Sequence, residues 1–418
     1  MSNALSKHFH KTRTMTESIC KPLSNEIFES QPADFTSPPK WHLGHSSWFF
    51  EEFILRPFMK EYPPLNDFYR IAFNSYYKSQ GEHWSRNARG QISRPNVAEI
   101  IEYRRHVDYH ILQLISHLKD NDSEIKKRII LGLNHEQQHQ ELLLMDIKYI
   151  IFHSFLGGTY NTKNVLLSSK SVELEFLPLE GGLVNIGANS RFEFYYDNEA
   201  PEFKYFQYPY ALATRPINNR EYLEFMNDGG YSNAMLWKSD GWDYINSHKD
   251  FKPLYWEQKE GQWFEFTLNG FLPLNLDDPV CHINYYEADA FAEWFGARLP
   301  TEFELELSYN NRVSLDSNFA FFESERLHPI IYNCVGSFFG LTGNLWEWTS
   351  SAYTPYPGYQ RPKGAFGEYN QKFMVNQMVL KGGCMATPQS HFRTSYRNFF
   401  YPYQKWAFTG LRLAKDVR

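Results

Sequence analysis

The chain has 418 residues, more than one hydrophobic core comfortably holds, so two or three domains are expected. Apolar residues make up 42% of it, which excludes a disordered majority, and a net charge of −6 with a pI near 6.2 excludes a general attraction to nucleic acid or to anionic membranes. No apolar run reaches the roughly 18 residues of a membrane span and the N-terminus has no apolar signal core, so a cytoplasmic protein is expected.

The first predicted helix follows Pro38-Pro39 and runs from Lys40 through Glu51 toward Leu55, with Trp41, His45, Trp48 and Glu52 along one face. A second starts near Ser93-Arg94-Pro95 and repeats Val97, Ile100, Ile101, Val107, Ile111, Leu114, Ile115 and Leu118 at helical period. Asp122-Ser123 is placed to cap a third, whose apolar positions Ile125, Ile129, Ile130, Leu133, Leu142, Leu143, Met145, Ile147 and Ile151 continue past residue 139. Helices joined by short connections favour an antiparallel bundle, and bundle cores commonly hold metal sites.

The helical pattern breaks at Gly157-Gly158-Thr159 and gives way to a polar connection through Ser168-Ser169-Lys170-Ser171, which places a domain boundary within residues 157–172. Beyond Val172 come short β-like runs rich in Gly, Pro, Asn and aromatic residues, with one clear helix at about Tyr285 to Phe295. Cys20, Cys281, Cys334 and Cys384 are scattered without a Cys-x2-Cys spacing, so free buried thiols are expected.

His135 and His139, in Leu133-Asn134-His135-Glu136-Gln137-Gln138-His139-Gln140-Glu141, lie four residues apart on the third helix. That spacing separates them by about 6 Å along the axis and puts both imidazoles on one face, within reach of a single ion. A metal site needs a third ligand, and His42 and His45 both lie on the first helix. On pattern His45 is favoured, because it shares its face with Trp41, Trp48 and Glu52.

Trp41-His42-Leu43-Gly44-His45, Trp48-Phe49-Phe50-Glu51 and the His135–Glu141 run resemble the DinB-like N-terminal domain of ergothioneine-pathway sulfoxide synthases (EgtB type). In the second half, Arg298-Leu299-Pro300-Thr301-Glu302-Phe303-Glu304, Gly343-Asn344-Leu345-Trp346-Glu347-Trp348-Thr349, Leu380-Lys381-Gly382-Gly383 and Gly410-Leu411-Arg412-Leu413-Ala414 resemble the formylglycine-generating-enzyme domain, a C-type-lectin-like fold. The resemblance implies an α+β protein: a DinB-like four-helix bundle over residues 1–160 carrying the metal site, and a formylglycine-generating-enzyme-like domain over 172–418 completing a substrate pocket between the two.

It also implies a mononuclear non-haem Fe(II) enzyme that uses O₂ to join a thiol, cysteine or γ-glutamylcysteine, to the imidazole C2 of hercynine as a sulfoxide. The iron ligands fall on His45, His135 and His139, with His42 behind them or structural. Tyr77 would be the proton donor to oxygen, with Tyr76 its active-site neighbour. Arg86 and Arg89, expected in a loop, would meet the carboxylates of the thiol, and Gln138 and Asn398 would hold hercynine. Phe400 lines the same pocket where other branches carry Asp, a departure that favours the branch with the Tyr76-Tyr77 pair. Cys384 stands alone after Gly382-Gly383, whereas copper-dependent formylglycine formation uses a cysteine pair there, so that chemistry is disfavoured.

Three other readings compete. The same chemistry could act on histidine, as in ovothiol synthesis, or with a selenium donor, as in selenoneine synthesis. A zinc-dependent thiol transferase would use three DinB histidines without O₂. A binding protein would use the lectin-like domain alone, with the bundle as scaffold.

Overall fold

The computed structural model describes residues 2–119, 121–154, 158–161, 169, 172–190, 192–310, 327–331, 334–335 and 337–417. Most of the expected boundary segment, including Gly157, Ser168, Lys170 and Ser171, lies outside the described residues. Two compact units form, one from Met1–Asn161 with Lys363–Tyr369, the other from Thr162–Pro362 with Asn370–Arg418. Residues 363–369, sequence neighbours of the second unit, thus pack as part of the first. No described helix is long and apolar enough to cross a membrane.

In the first unit, Pro39–Phe50 packs against Val97–Ser116 and Ser123–His153, and Ser2–Cys20 packs along the last of these. All twelve residues of Pro39–Phe50 are buried, the polar Lys40, His42, His45, Ser46 and Ser47 included, so this helix lies inside the bundle on every side. Where a continuous α-helix toward Leu55 was expected, the turn widens into a π-helix over Glu51–Leu55. Gly44 allows the close approach of Phe73, because a Cβ there would lie 2.3 Å from that ring. Val97–Ser116 starts from an Asn96–Glu99 capping box. Asp122 occupies the cap position of the next helix without capping it; its carboxylate accepts the Lys119 amide instead (2.7 Å).

A buried ion cluster joins the four helices. Arg13 donates to Glu136 (2.8 Å), Asp108 (2.6 Å) and Ser47 (2.8 Å), while Arg104 donates to Glu136, to Ser46 (3.1 Å) and to the Arg13 carbonyl (2.8 Å). Burial alone would raise the Glu136 pKa, but Arg104 and Arg13 overcome it and hold the carboxyl down at about 2.

The second unit is sheet-rich. A four-stranded sheet runs in the order Asn398–Phe400, Met378–Lys381, Trp346–Ala352, Thr409–Gly410, antiparallel except for its last pair. A three-stranded sheet pairs Tyr210–Ala213 with both Phe176–Leu179 and Ala414–Asp416. A meander over Trp256–Lys259, Gln262–Thr267 and Gly270–Pro273 lies beside these in sequence. The expected helix Tyr285–Phe295 is present, joined by three that were not expected: Asn219–Asn227, Ser239–His248 and Glu302–Asn310.

The motifs of this half that resemble the formylglycine-generating-enzyme domain form its frame of buried charge. Glu347 of the Gly343–Thr349 run pairs with Arg412 (3.1 Å), Lys381 with Glu306 (3.0 Å), and Glu302 with Arg397 (2.7 Å), the residue before Asn398. The backbone turns at Gly382 and Gly383 have φ of 102° and 70°, which a side chain disfavours. Cys20, Cys281 and Cys384 are free and buried; Cys334, expected buried, is exposed. The Tyr285–Phe295 helix begins with an Asn284–Glu287 capping box, and Glu287 also accepts from Tyr231 (2.7 Å) and Lys405 (3.2 Å). Burial pushes its carboxyl up to about 7; Lys405 opposes the rise and Asp250 adds to it.

Glu136→Gln should destabilise the protein by about 3–5 kcal/mol in chemical denaturation, since it removes the shared partner of two buried guanidinium groups. The folded chain holds a proton on Glu287 that the unfolded chain releases near pH 4.5, so this residue's effect on stability worsens as pH rises from there through about 7. Relative to Glu287→Gln, the unsubstituted protein should lose roughly 3 kcal/mol over that window, read as the difference between their unfolding free energies at each pH.

Candidate metal centre

Two helices bring the three predicted ligands together. His45 projects from Pro39–Phe50 and His135 and His139 from Ser123–His153, and one ring nitrogen from each lies within 4.8 Å of the others. The Nε2 atoms of His45 and His135 are 3.2 Å apart. Stacking orients the rings: Trp41 lies against His45 (4.5 Å, 11°), Trp48 also stacks with it (5.5 Å, 15°), and Phe49 stacks on His135 (4.4 Å, 25°).

His45 Nδ1 sits 2.7 Å from the Phe73 carbonyl, which only accepts, so Nδ1 carries the proton and Nε2 presents its lone pair to the cluster. His139 Nδ1 is 2.9 Å from His42 Nδ1, and His42 Nε2 is 3.0 Å from Asp146 Oδ2. His135 Nδ1 is buried with no hydrogen-bond partner among the described residues. Burial lowers all three pKa values: His135 to about 3, His139 and His45 well below 6.5, the last two pushed further by their histidine neighbours. Burial lowers His42 too. Three neutral imidazoles whose lone pairs converge in a desolvated pocket are a donor set for a divalent metal, and the residues present fit one.

Arg89 lies in a short 3-10 helix, Arg86–Gln91, rather than a loop. It is buried, its guanidinium 3.3 Å over the Trp41 ring, and donates to Ser37 Oγ (2.8 Å) and Ser75 Oγ (3.0 Å). No carboxylate lies within ion-pair distance of it among the described residues, and burial, with Arg86 nearby, depresses its pKa well below 12.5. Arg86 is exposed and donates to the Phe35 carbonyl.

Tyr77 is fully buried between Phe53 (5.1 Å) and Trp48 (5.6 Å) and stacks on Tyr76 (4.8 Å). Burial, then Tyr76, raises its pKa well above 10. Trp48 thus touches both Tyr77 and His45. The Tyr369 ring is 5.9 Å from His135 and 6.4 Å from Tyr76, and its hydroxyl donates to Gln138 Oε1 between the two ligands of the long helix. The Lys363–Tyr369 segment is held there by Glu368, which accepts the Lys78 and Ser79 amides (3.0 and 3.1 Å), and by Phe366 against Phe53 (5.0 Å). No helical period or motif marked Tyr369 in the sequence.

Asn398 and Phe400 belong to the second unit, on the Asn398–Phe400 strand. Asn398 Oδ1 accepts the Phe399 amide (2.9 Å), and Phe400 is buried with Trp406 5.1 Å away. His83 is exposed.

Residues 166–312 and 324–417 match the sulfatase-modifying factor enzyme 1-like domain, and residues 8–143 match the DinB superfamily. The chain is similar to a protein named hercynine oxygenase from Mycobacterium tuberculosis, 30% identical over 53% of this chain and 56% of that one. It is similar to another of that name from Mycolicibacterium smegmatis, 28% identical over 91% of each, and to ergothioneine biosynthesis protein 1 from Schizosaccharomyces pombe, 25% identical over 91% of this chain and 52% of that one. The chain thus spans about half the length of the first and third relatives and nine-tenths of the second. With a framework of Glu347–Arg412, Glu302–Arg397 and Lys381–Glu306 pairs in its second half and a DinB-superfamily match before it, the chain belongs to the sulfatase-modifying factor enzyme 1-like family.

Proposed function

We propose that this protein is an Fe(II)- and O₂-dependent sulfoxide synthase of ergothioneine biosynthesis, coupling cysteine or γ-glutamylcysteine to C2 of hercynine. The observation that carries the reading is the convergence of buried His45 and His135 with half-buried His139, in a chain similar over nine-tenths of its length to a hercynine oxygenase. The overall reaction forms one C–S bond at the expense of a C–H and an S–H bond. O₂ is reduced by four electrons, one oxygen ending on sulfur and the other in water.

Iron bound to the three imidazoles supplies one-electron chemistry toward O₂ and open coordination positions for both organic substrates. The residues around it do the rest. Arg89, a buried cation with Asp146 nearby but no carboxylate within ion-pair distance among the described residues, suits the carboxylate of the thiol, because an incoming anion offsets its desolvation. Gln138 presents a carboxamide beside His139, where it can orient an imidazole N–H, while Tyr369 holds that carboxamide.

Stacked indoles on His45 and the phenyl ring on His135 keep water from the metal face, which concentrates proton delivery in a few hydroxyls. Tyr77 has the raised pKa of a donor that stays neutral until oxygen is reduced, and Tyr76 continues from it toward Tyr369. The tyrosine pair and Tyr369 form one chain of rings ending beside His135.

Purified protein given Fe(II), hercynine and each thiol without air, then oxygenated, should consume O₂ and form a coupled sulfoxide. Absence of product with every thiol would sink the reading, and Zn(II)-supported thiol transfer without oxygen would replace it with a transferase. Preference for histidine over hercynine, or for a selenium donor, would move the substrate while keeping the chemistry. His135→Ala should abolish both stoichiometric Fe(II) binding and product. Tyr77→Phe and Tyr369→Phe should each lower kcat by about 10²–10⁴-fold if both lie on the proton path, with Fe(II) content unchanged. A loss confined to Tyr369→Phe would remove the Tyr76-Tyr77 pair from that path.

A further inference from the structure

We propose that Asp146 and His42 act as a positioning pair for His139, fixing it as a ligand through Nε2 and making it the strongest donor of the three histidines. The proposal rests on the reading of His45, His135 and His139 as metal ligands.

The direction of the hydrogen bonds follows from the last member of the chain. The Ser37 amide can only donate and lies 2.9 Å from Asp146 Oδ2, so that oxygen is an acceptor. It accepts from His42 Nε2 at 3.0 Å as well. A neutral imidazole carries one proton, and with Nε2–H committed to Asp146, His42 Nδ1 presents a lone pair. The 2.9 Å contact between the two Nδ1 atoms is then a donation from His139 Nδ1–H, which leaves His139 Nε2 bare on the side of His45 and His135.

The three ligands are therefore inequivalent. His139 donates through His42 to a carboxylate, His45 donates to the neutral Phe73 carbonyl, and His135 Nδ1 has no hydrogen-bond partner among the described residues. A carboxylate at the end of the chain draws the Nδ1 proton outward and raises the basicity of Nε2, whereas a carbonyl does so less and an unpartnered N–H not at all. Helical spacing builds the arrangement: His42 is three residues before His45, and Asp146 is seven after His139, two turns along the same face. Ser37 also accepts Arg89 Nη1 on its hydroxyl (2.8 Å), so the cation suited to the thiol carboxylate is hydrogen-bonded to the residue that braces Asp146.

Zn(II), redox-inert and diamagnetic, is the probe. Competition against a chromogenic chelator should show Asp146→Asn and His42→Phe weakening Zn(II) binding by about 10–100-fold, with Asp146→Glu restoring part of the loss. Nitrogen-15 spectra of the Zn(II)-loaded unsubstituted protein should show His139 bound through Nε2 with a hydrogen-bonded Nδ1 proton, a signal that Asp146→Asn shifts. Coordination through Nδ1, or wild-type affinity in both variants, would overturn the proposal. The tautomer in the unsubstituted protein decides the matter even where a variant fails to fold. Unchanged Zn(II) affinity in His135→Ala would instead overturn the underlying assignment of the triad.

Discussion

Everything about the metal site depends on where Glu136 points. It is wholly buried and shared by Arg13 and Arg104, and through them it is tied to Asp108, Ser46 and Ser47, so one carboxylate links all four helices of the bundle. Neighbouring residues on a helix are separated by about 100° around its axis. Anchoring Glu136 on the arginine side therefore sets the rotation of the entire Ser123–His153 helix, and with it the direction of His135 immediately before and His139 three residues after. Two buried guanidinium groups are costly to desolvate, and they tolerate burial only with their shared acceptor in place. The site thus inherits its precision from an electrostatic constraint made on the adjacent face.

The same device recurs in the second unit with different partners. Glu347 and Arg412, Glu302 and Arg397, and Lys381 and Glu306 bridge segments far apart in sequence where short strands alone would give little cohesion. The motifs that first drew attention in that half are mostly the two ends of such pairs rather than reactive groups. Arg397, paired with Glu302, secures the start of the Asn398–Phe400 strand.

Around the triad, packing has given each histidine a different support. A carbonyl from the Tyr69–Ala72 turn region, a histidine backed by a carboxylate, and an aromatic stack with no hydrogen-bond partner among the described residues are three ways of holding an imidazole.

Periodicity and residue chemistry in the sequence alone were enough for the main helices, the His135–His139 pair and the choice of His45 over His42, because i and i+4 share a helix face and a histidine among tryptophans on a buried face has few other uses. The family motifs carried the two-domain α+β plan. Local signals also misled: Asp122 looks like a helix cap, yet its carboxylate closes on Lys119, and the Asn218–Glu221 capping box announces a short helix that apolar period was too brief to reveal. What only the tertiary structure decided was proximity between residues with no common period. Tyr369, 230 positions after His139, reaches the triad because a seven-residue segment joins the bundle, and Asp146 reaches His139 only through His42 on another helix. A sequence records which faces are apolar and which groups are reactive along one element, whereas the meeting of groups from separate elements is settled by packing and by the pairing of buried charge.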